Sequence, residues 1–345
     1  MKKKVSIYVV LLLVVLFTMS MLTGCSEKPA DTKPAADQPA TTETPAAPAE
    51  PAKQVFVNIG TGGTAGTYFP LGGAFAEIWN KDIPGVNATA TSTGASVANV
   101  NLLKEGKVET VIIQNDIASY SETGTIMFDG AAFPEIRGLC TLYSEPLQLV
   151  TTDATIKTVA DLKGKRVAVG AIGSGVEANA RQIIAAAGLD FDKDIDPKFL
   201  SFSEASTGLK DKQLDAAFLV AGVPTAAIVD LSTQNDVFVV PIDGDTAKNL
   251  MEKYPFYTEF TIPAETYKGQ AADAKTLSVR SMLACSSTLD EELAYNMVKS
   301  IYENGERITA AHNVGKDITL DTALQGMGIT VHPGAQKYFD EKGIK

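Results

Sequence analysis

Four short polar stretches carry the side chains from which a site could be built: Thr61–Tyr68, Ser92–Ser96, Gln114–Asp116 and Ser174–Glu177. Their hydroxyls, amides and glycine N–H groups form a donor set suited to a small anion. Catalytic alternatives are few. Asp116 and Glu177 are the acids within these stretches, and helix capping or ion pairing is the competing role for both. The two histidines, His312 and His332, come late, and no Gly-x-Ser-x-Gly elbow precedes a helix. No Cys/His spacing suggests a transition metal. The chemistry on offer is binding, so the chain reads as a non-enzyme without cofactor.

The elements that position these stretches alternate between strand and helix. "QVFVNIG" runs into a glycine turn and a helix over Leu71–Asn80. "VNATATST" leads to a second helix with Val97, Val100 and Leu103 at helical spacing, and "VETVIIQN" is a buried strand. This order implies parallel strands joined by crossover helices. It repeats after the extended run "LYSEPLQLVTT", with a second glycine turn and helix in Gly170–Gly188 and a helix opened by Pro224 in "VPTAAIVDLS". Thr288 with Glu291 forms a capping-box signature for one long C-terminal helix. Two α/β lobes follow, lobe I from 54–146 plus 265–345 and lobe II from 147–264, with crossings near Thr141–Thr151 and Phe260–Lys275. Each lobe puts a glycine-rich helix start at the carboxyl end of its sheet, where ligands of open α/β sheets sit.

A helix N-terminus suits a phosphate or a carboxylate equally. The dinucleotide fingerprint fails: Gly60, Gly62 and Gly66 miss its spacing, and the next strand ends in hydroxyls without an acid. No P-loop occurs. Arg181 and Arg137 are the nearby cations, both better explained by surface pairing, so an anion would rest on N–H groups, hydroxyls and Gln114. For Tyr68, ligand contact and core packing stay open together.

The N-terminus places three lysines before an apolar run ending in "LTGC" at Cys25, the parts of an export signal over residues 1–25. Its ending resembles a lipoprotein lipobox, with Cys25 as the lipidated residue. Residues 26–53, rich in Pro, Ala, Thr and Glu, read as a disordered tether. An extracytoplasmic protein held to the membrane by lipid is expected. Past the signal, 27 basic residues face 41 acidic ones, a net charge of −14, which excludes a basic surface for nucleic acid. Cys140 and Cys285 are either one disulfide or two small buried residues.

Five blocks in order, "GTGGTAGTYFPLG" (60–72), "STGASVANVNLL" (92–103), "VIIQNDIA" (111–118), "GSGVEANARQII" (173–184) and "AAFLVAGVPTAAIVDL" (216–231), resemble the TAXI-type solute receptors. These are the binding subunits of tripartite ATP-independent periplasmic (TRAP) transporters. The resemblance covers 55–312. It implies a two-lobed, periplasmic-binding-protein-like (type II) fold closing on a small carboxylate such as glutamate, glutamine or 2-oxoglutarate, and docking on TRAP membrane subunits. By position it implies ligand contacts at Thr61, Gly63, Thr64, Tyr68, Thr93, Ser96 and Gln114, and at Ser174, Gly175, Val176, Gly222, Pro224 and Thr225 across the cleft. Val176 and Phe69 depart from residues with hydroxyls common in the family. A ligand-sensing lipoprotein signalling to a membrane kinase, and an enzyme on the same scaffold, are the rival readings.

Overall fold

The computed structural model describes residues 54–345. The expected signal peptide, the lipidated Cys25 and the tether fall outside the described residues. The chain begins with β1 (Val55–Gly60), α1 (Tyr68–Asp82), β2 (Val86–Thr91), α2 (Ser96–Lys104), β3 (Thr110–Gln114) and α3 (Asn115–Thr123). The long β4 (Ile136–Thr151) then leads to β5 (Arg166–Ala168), α4 (Gly175–Ala186), β6 (Asp196–Lys198), α5 (Phe202–Lys210), β7 (Ala216–Val220) and α6 (Ala226–Ser232). There follow β8 (Phe238–Val240), α7 (Gly244–Lys253), β9 (Thr258–Ile262), β10 (Ala274–Ser286), α8 (Glu291–Glu303), α9 (Gly305–Ala311) and α10 (Pro333–Lys342).

The strands form two curved sheets that share members. β1 pairs in parallel with β2 and β3, and β5 pairs in parallel with β6 and β7, as the crossover order requires. β4 and β10 run antiparallel through the middle. Along β4, residues 136–146 pair with β10, while Leu147–Val150 pair with β7 and Leu149–Thr151 with β8. β10 changes partner in the same zone, from β9 over Ala274–Ser278 to β3 over Ser281–Cys285. β4 thus changes partner between Pro146 and Leu147, and β10 between Ser278 and Ser281. β9 and Tyr267 pack with Ala217 and Leu219, in the same core as β7.

Helices cover both faces of each sheet. Phe75, Trp79, Met297 and Tyr338 fill one face of the first lobe, with Val100, Ile113 and Met282 on the other. Leu147, Phe218 and Ile183 fill one face of the second, with Leu209, Leu219 and Ile228 opposite. Strands sandwiched this way read as continuous apolar runs, which explains "VIIQ" and "AAFLV".

Three local expectations are corrected. The C-terminal helix is two helices, broken at Asn304–Gly305, with α10 then packing against α8. Its cap is Asp290, whose Oδ1 accepts the Leu293 N–H at 2.9 Å; the Thr288 hydroxyl instead bonds Ser286. Pro224 precedes the Thr225 N-cap of α6 rather than occupying its first turn, and its bond to Val223 is cis. Cys140 and Cys285 sit on adjacent strands as free, buried thiols within one apolar cluster. Burial pushes the Cys140 thiol up to about 12 and Cys285 upward as well.

Asp290→Ala is expected to lower the unfolding free energy in urea by about 1 kcal/mol, and Thr288→Ala by less than about 0.5 kcal/mol. Equal losses would contradict the assigned cap.

Candidate functional site

A cavity of ≈ 90 Å³ lies where the carboxyl ends of the parallel strands of both lobes converge. The loop after β1 contributes Gly62, Gly63, Gly66, Thr67 and Tyr68, and the loop after β2 contributes Thr93, Gly94, Ala95 and Ser96. Gln114 ends β3, and Glu145 reaches in from β4. The second lobe adds Ala171 and Ser174–Val176 at the start of α4, Ser201 and Phe202 before α5, and Val220 and Ala221 after β7.

The α4 start forms the donor wall. Ser174 caps the helix by accepting the Glu177 N–H at 3.1 Å. The first-turn N–H groups of Gly175 and Val176 have no acceptor within an α-helix, and both residues line the cavity. They present the positive end of the helix dipole to whatever fills it. Glycine at 175 lets Gln114 approach closely: a β-carbon there would overlap Gln114 Oε1 and force the amide to move.

Gln114 and Ser174 are therefore brought together, as are Gly63, Tyr68, Thr93, Ser96, Gly175 and Val176. Five expected contacts lie outside the lining. Thr61 is fully buried and donates its hydroxyl to Thr91 O at 2.7 Å, while its own carbonyl accepts from Asn99 and Thr93. Thr225 donates to Gly222 O and accepts from Gln148 Nε2, so its hydroxyl is spent on the backbone of the β7–α6 turn. Thr64 and Pro224 are exposed. Gly222 gives its N–H to the Thr67 hydroxyl at 3.1 Å, a bond between the lobes. Thr67 begins α1 yet caps nothing in it, its hydroxyl being turned to the other wall.

More bonds cross the cleft. Gln114 Nε2 donates to Asn179 Oδ1 at 2.9 Å, and Asn179 Nδ2 donates to Asp116 Oδ2 at 3.0 Å and to the Tyr257 hydroxyl at 2.9 Å. Ala98 N–H reaches Gly173 O at 3.0 Å. The walls are thus in contact around the cavity. Gln114 Oε1 is buried and has no protein partner. Burial raises the Asp116 carboxyl to about 6, against the lowering effect of its bonds from Asn179 and the Ile117 N–H.

Glu145 had no signal in the sequence, where it sits inside an apolar extended run. It is fully buried and accepts from the Tyr68 hydroxyl at 2.8 Å and the Tyr143 hydroxyl at 2.9 Å. Burial pushes its carboxyl up to about 8, with the two tyrosine bonds pulling the other way. Tyr68 consequently does both things expected of it, packing in the core and facing the cavity.

No lysine, arginine or histidine is part of the lining. Arg181 pairs with Glu177 at 3.0 Å and lies over the Phe191 ring, and Arg137 bonds the carbonyls of Pro134 and Ile136. Among the described residues no cluster of His, Cys, Asp and Glu forms a metal set, and no helix is long and apolar enough to cross a membrane.

Residues 59–343 match the NMT1-like family. The chain belongs to that family. Among solved structures, a protein from Bordetella bronchiseptica RB50 is similar to the NMT1-like chain over 84% of its length and 98% of the other's, at 15% identity and a TM-score of 0.53. The periplasmic aliphatic sulphonate binding protein SsuA from Escherichia coli is similar over 83% of this chain and 82% of its own, at 17% identity and a TM-score of 0.45. The first of these likenesses is one of fold, and it supports the two-lobed α/β architecture described above.

The raised pKa of Glu145 has a definite sign for stability. Between about 4.5 and 8 the folded chain keeps a proton that the unfolded chain has lost, so this group lowers stability as pH rises through that window. Glu145→Gln cannot ionise. The melting temperature of Glu145→Gln minus that of the wild type is expected to grow by about 5 °C from pH 5 to pH 8 in scanning calorimetry. Parallel profiles would mean that Glu145 titrates normally.

Proposed function

We propose that the chain is an extracytoplasmic solute receptor of the TAXI type. It captures a small carboxylate between its lobes and delivers it to TRAP transporter membrane subunits, held near the membrane by lipid on Cys25. The observation that carries this reading is the cavity at the carboxyl ends of both parallel sheets, lined by Gly175 and Val176 with their unpaired α4 N–H groups and by Gln114 of the other lobe. A carboxylate on those N–H groups gains charge-assisted hydrogen bonds without a guanidinium. Gln114 also lines the cavity, and its unpartnered Oε1 is an acceptor, suited to a donor group of the solute rather than to the carboxylate.

The volume limits the solute. At ≈ 90 Å³ the cavity is smaller than the about 150 Å³ that takes up a benzene molecule. That suits a compact aliphatic acid and disfavours aromatic or polymeric ligands. Capture works by closure. A ligand that touches α4 on one side and Gln114 on the other makes its full set of contacts only when the walls meet, so it stabilises that form. Asn179, bonded to both Gln114 and Asp116, is the latch that the ligand reinforces. The lobe boundaries follow the strands, 146/147 on β4 and 278–281 on β10, and these are the hinges.

Thermal-shift titration of the full chain with glutamate, glutamine, pyroglutamate, 2-oxoglutarate and C4-dicarboxylates tests the reading. One of them at 100-fold its Kd should raise the melting temperature by about 5 °C, and Asn179→Ala should weaken that ligand at least about 10-fold through loss of the latch. No response to any acid, together with turnover of an ester or amide, would replace the receptor with an enzyme.

A further inference from the structure

We propose that Glu145 accepts the ammonium group of the bound solute, so that the cavity selects α-amino acids over keto and hydroxy acids of the same size. The proposal rests on the receptor reading and adds the class of its ligand.

The two ends of the cavity differ in sign. At α4, backbone N–H groups offer a positive pole for a carboxylate. At the β4 end the one acidic side chain in the lining is Glu145, and no cationic side chain lines the cavity to neutralise it. Its carboxylate has about four acceptor positions. Tyr68 fills one on Oε2 and Tyr143 one on Oε1, so each oxygen keeps a free lone pair. The tyrosines also fix the group in place, since both of their hydroxyls donate to it. An ammonium has three donors and no acceptor, which matches a site of acceptors. A zwitterion laid between α4 and Glu145 meets the opposite charge at each end. A second carboxylate at the β4 end would meet like charge or require the acid to stay protonated.

The groups around Glu145 reinforce this. Asp116, on α3, adds negative potential. Val279, opposite Glu145 on β10, is apolar, and the neighbouring Arg280 is turned by strand alternation to the other face, where its stem packs on Gly326. Ser96 and Gln114 complete the surroundings within the cavity, both uncharged. Without a ligand the acid holds its proton at neutral pH, since burial raises it to about 8. An ammonium arriving there drives that proton off. An anion arriving there holds it on. The two classes of ligand therefore have opposite pH dependences.

Isothermal titration of the full chain with L-glutamate, 2-oxoglutarate and 2-hydroxyglutarate tests this, because the three share both carboxylates and differ at the α-substituent. Glutamate should bind about 20-fold more tightly at pH 8.5 than at pH 6.5 and release a proton. 2-Oxoglutarate should bind more weakly than glutamate and lose affinity over the same interval. In Glu145→Gln, both pH slopes should flatten to within about 3-fold. Glutamate affinity that is flat or falls with pH in the wild type, or a preference for 2-oxoglutarate, overturns the proposal and leaves the receptor reading intact. The wild-type slopes decide this even where the variant does not fold. Binding of none of the three also overturns it, and the receptor reading falls with it only if glutamine, pyroglutamate and C4-dicarboxylates fail too.

Discussion

Both lobes are built on the same two strands, and that sharing is the constraint from which the rest follows. β4 leaves the ladder of β10 at Pro146 and joins β7 at Leu147. Proline cannot donate to a ladder, so a change of partners is where a long strand can best accept one. With the sheets joined there, the parallel strands of both lobes end on one common space, and the helix starts that follow β1, β2 and β5 must look into it. Glu145 is the residue immediately before the change. Its carboxyl is consequently held at the junction, where it lines the cavity between the lobes.

The contacts around that space form a polar network with two orphans. Gln114, Asn179, Asp116, Tyr257 and Gln182 are linked in a chain of buried hydrogen bonds, yet Gln114 Oε1 and Gln182 Nε2 have no partner. Buried polar groups left unpaired cost about 1–3 kcal/mol each. A ligand that satisfied one of them would favour the form with the walls together.

Much of this was legible in the sequence. The β-α-β order, the parallel pairing and the meeting of four polar turns came from hydrophobic period and glycine placement, because crossover topology leaves few other arrangements. What was hidden has physical reasons. Glu145 and Tyr143 lie in an apolar run whose faces alternate, and nothing local marks which side meets a cavity. Asn179 sits in the second turn of α4, where an amide ordinarily points to solvent. Thr61 and Thr225 look like ligands because hydroxyls at strand ends and helix starts serve backbone anchoring and ligand binding equally well. The expected single helix and its Thr288 cap were overruled by packing of α9 on α1 and by an acid closer to the first turn.

The central claim is that an acid in this cavity holds the two lobes together. The most direct measurement is the distance between spin labels at Gly73→Cys on α1 and Ser203→Cys on α5, both exposed positions, by pulsed electron paramagnetic resonance. Native Cys140 and Cys285 are buried thiols raised in pKa and will stay unlabelled. The account predicts a broad distribution without ligand that narrows and shortens when L-glutamate is added to saturation. A distribution that a saturating, bound ligand leaves unchanged would contradict it.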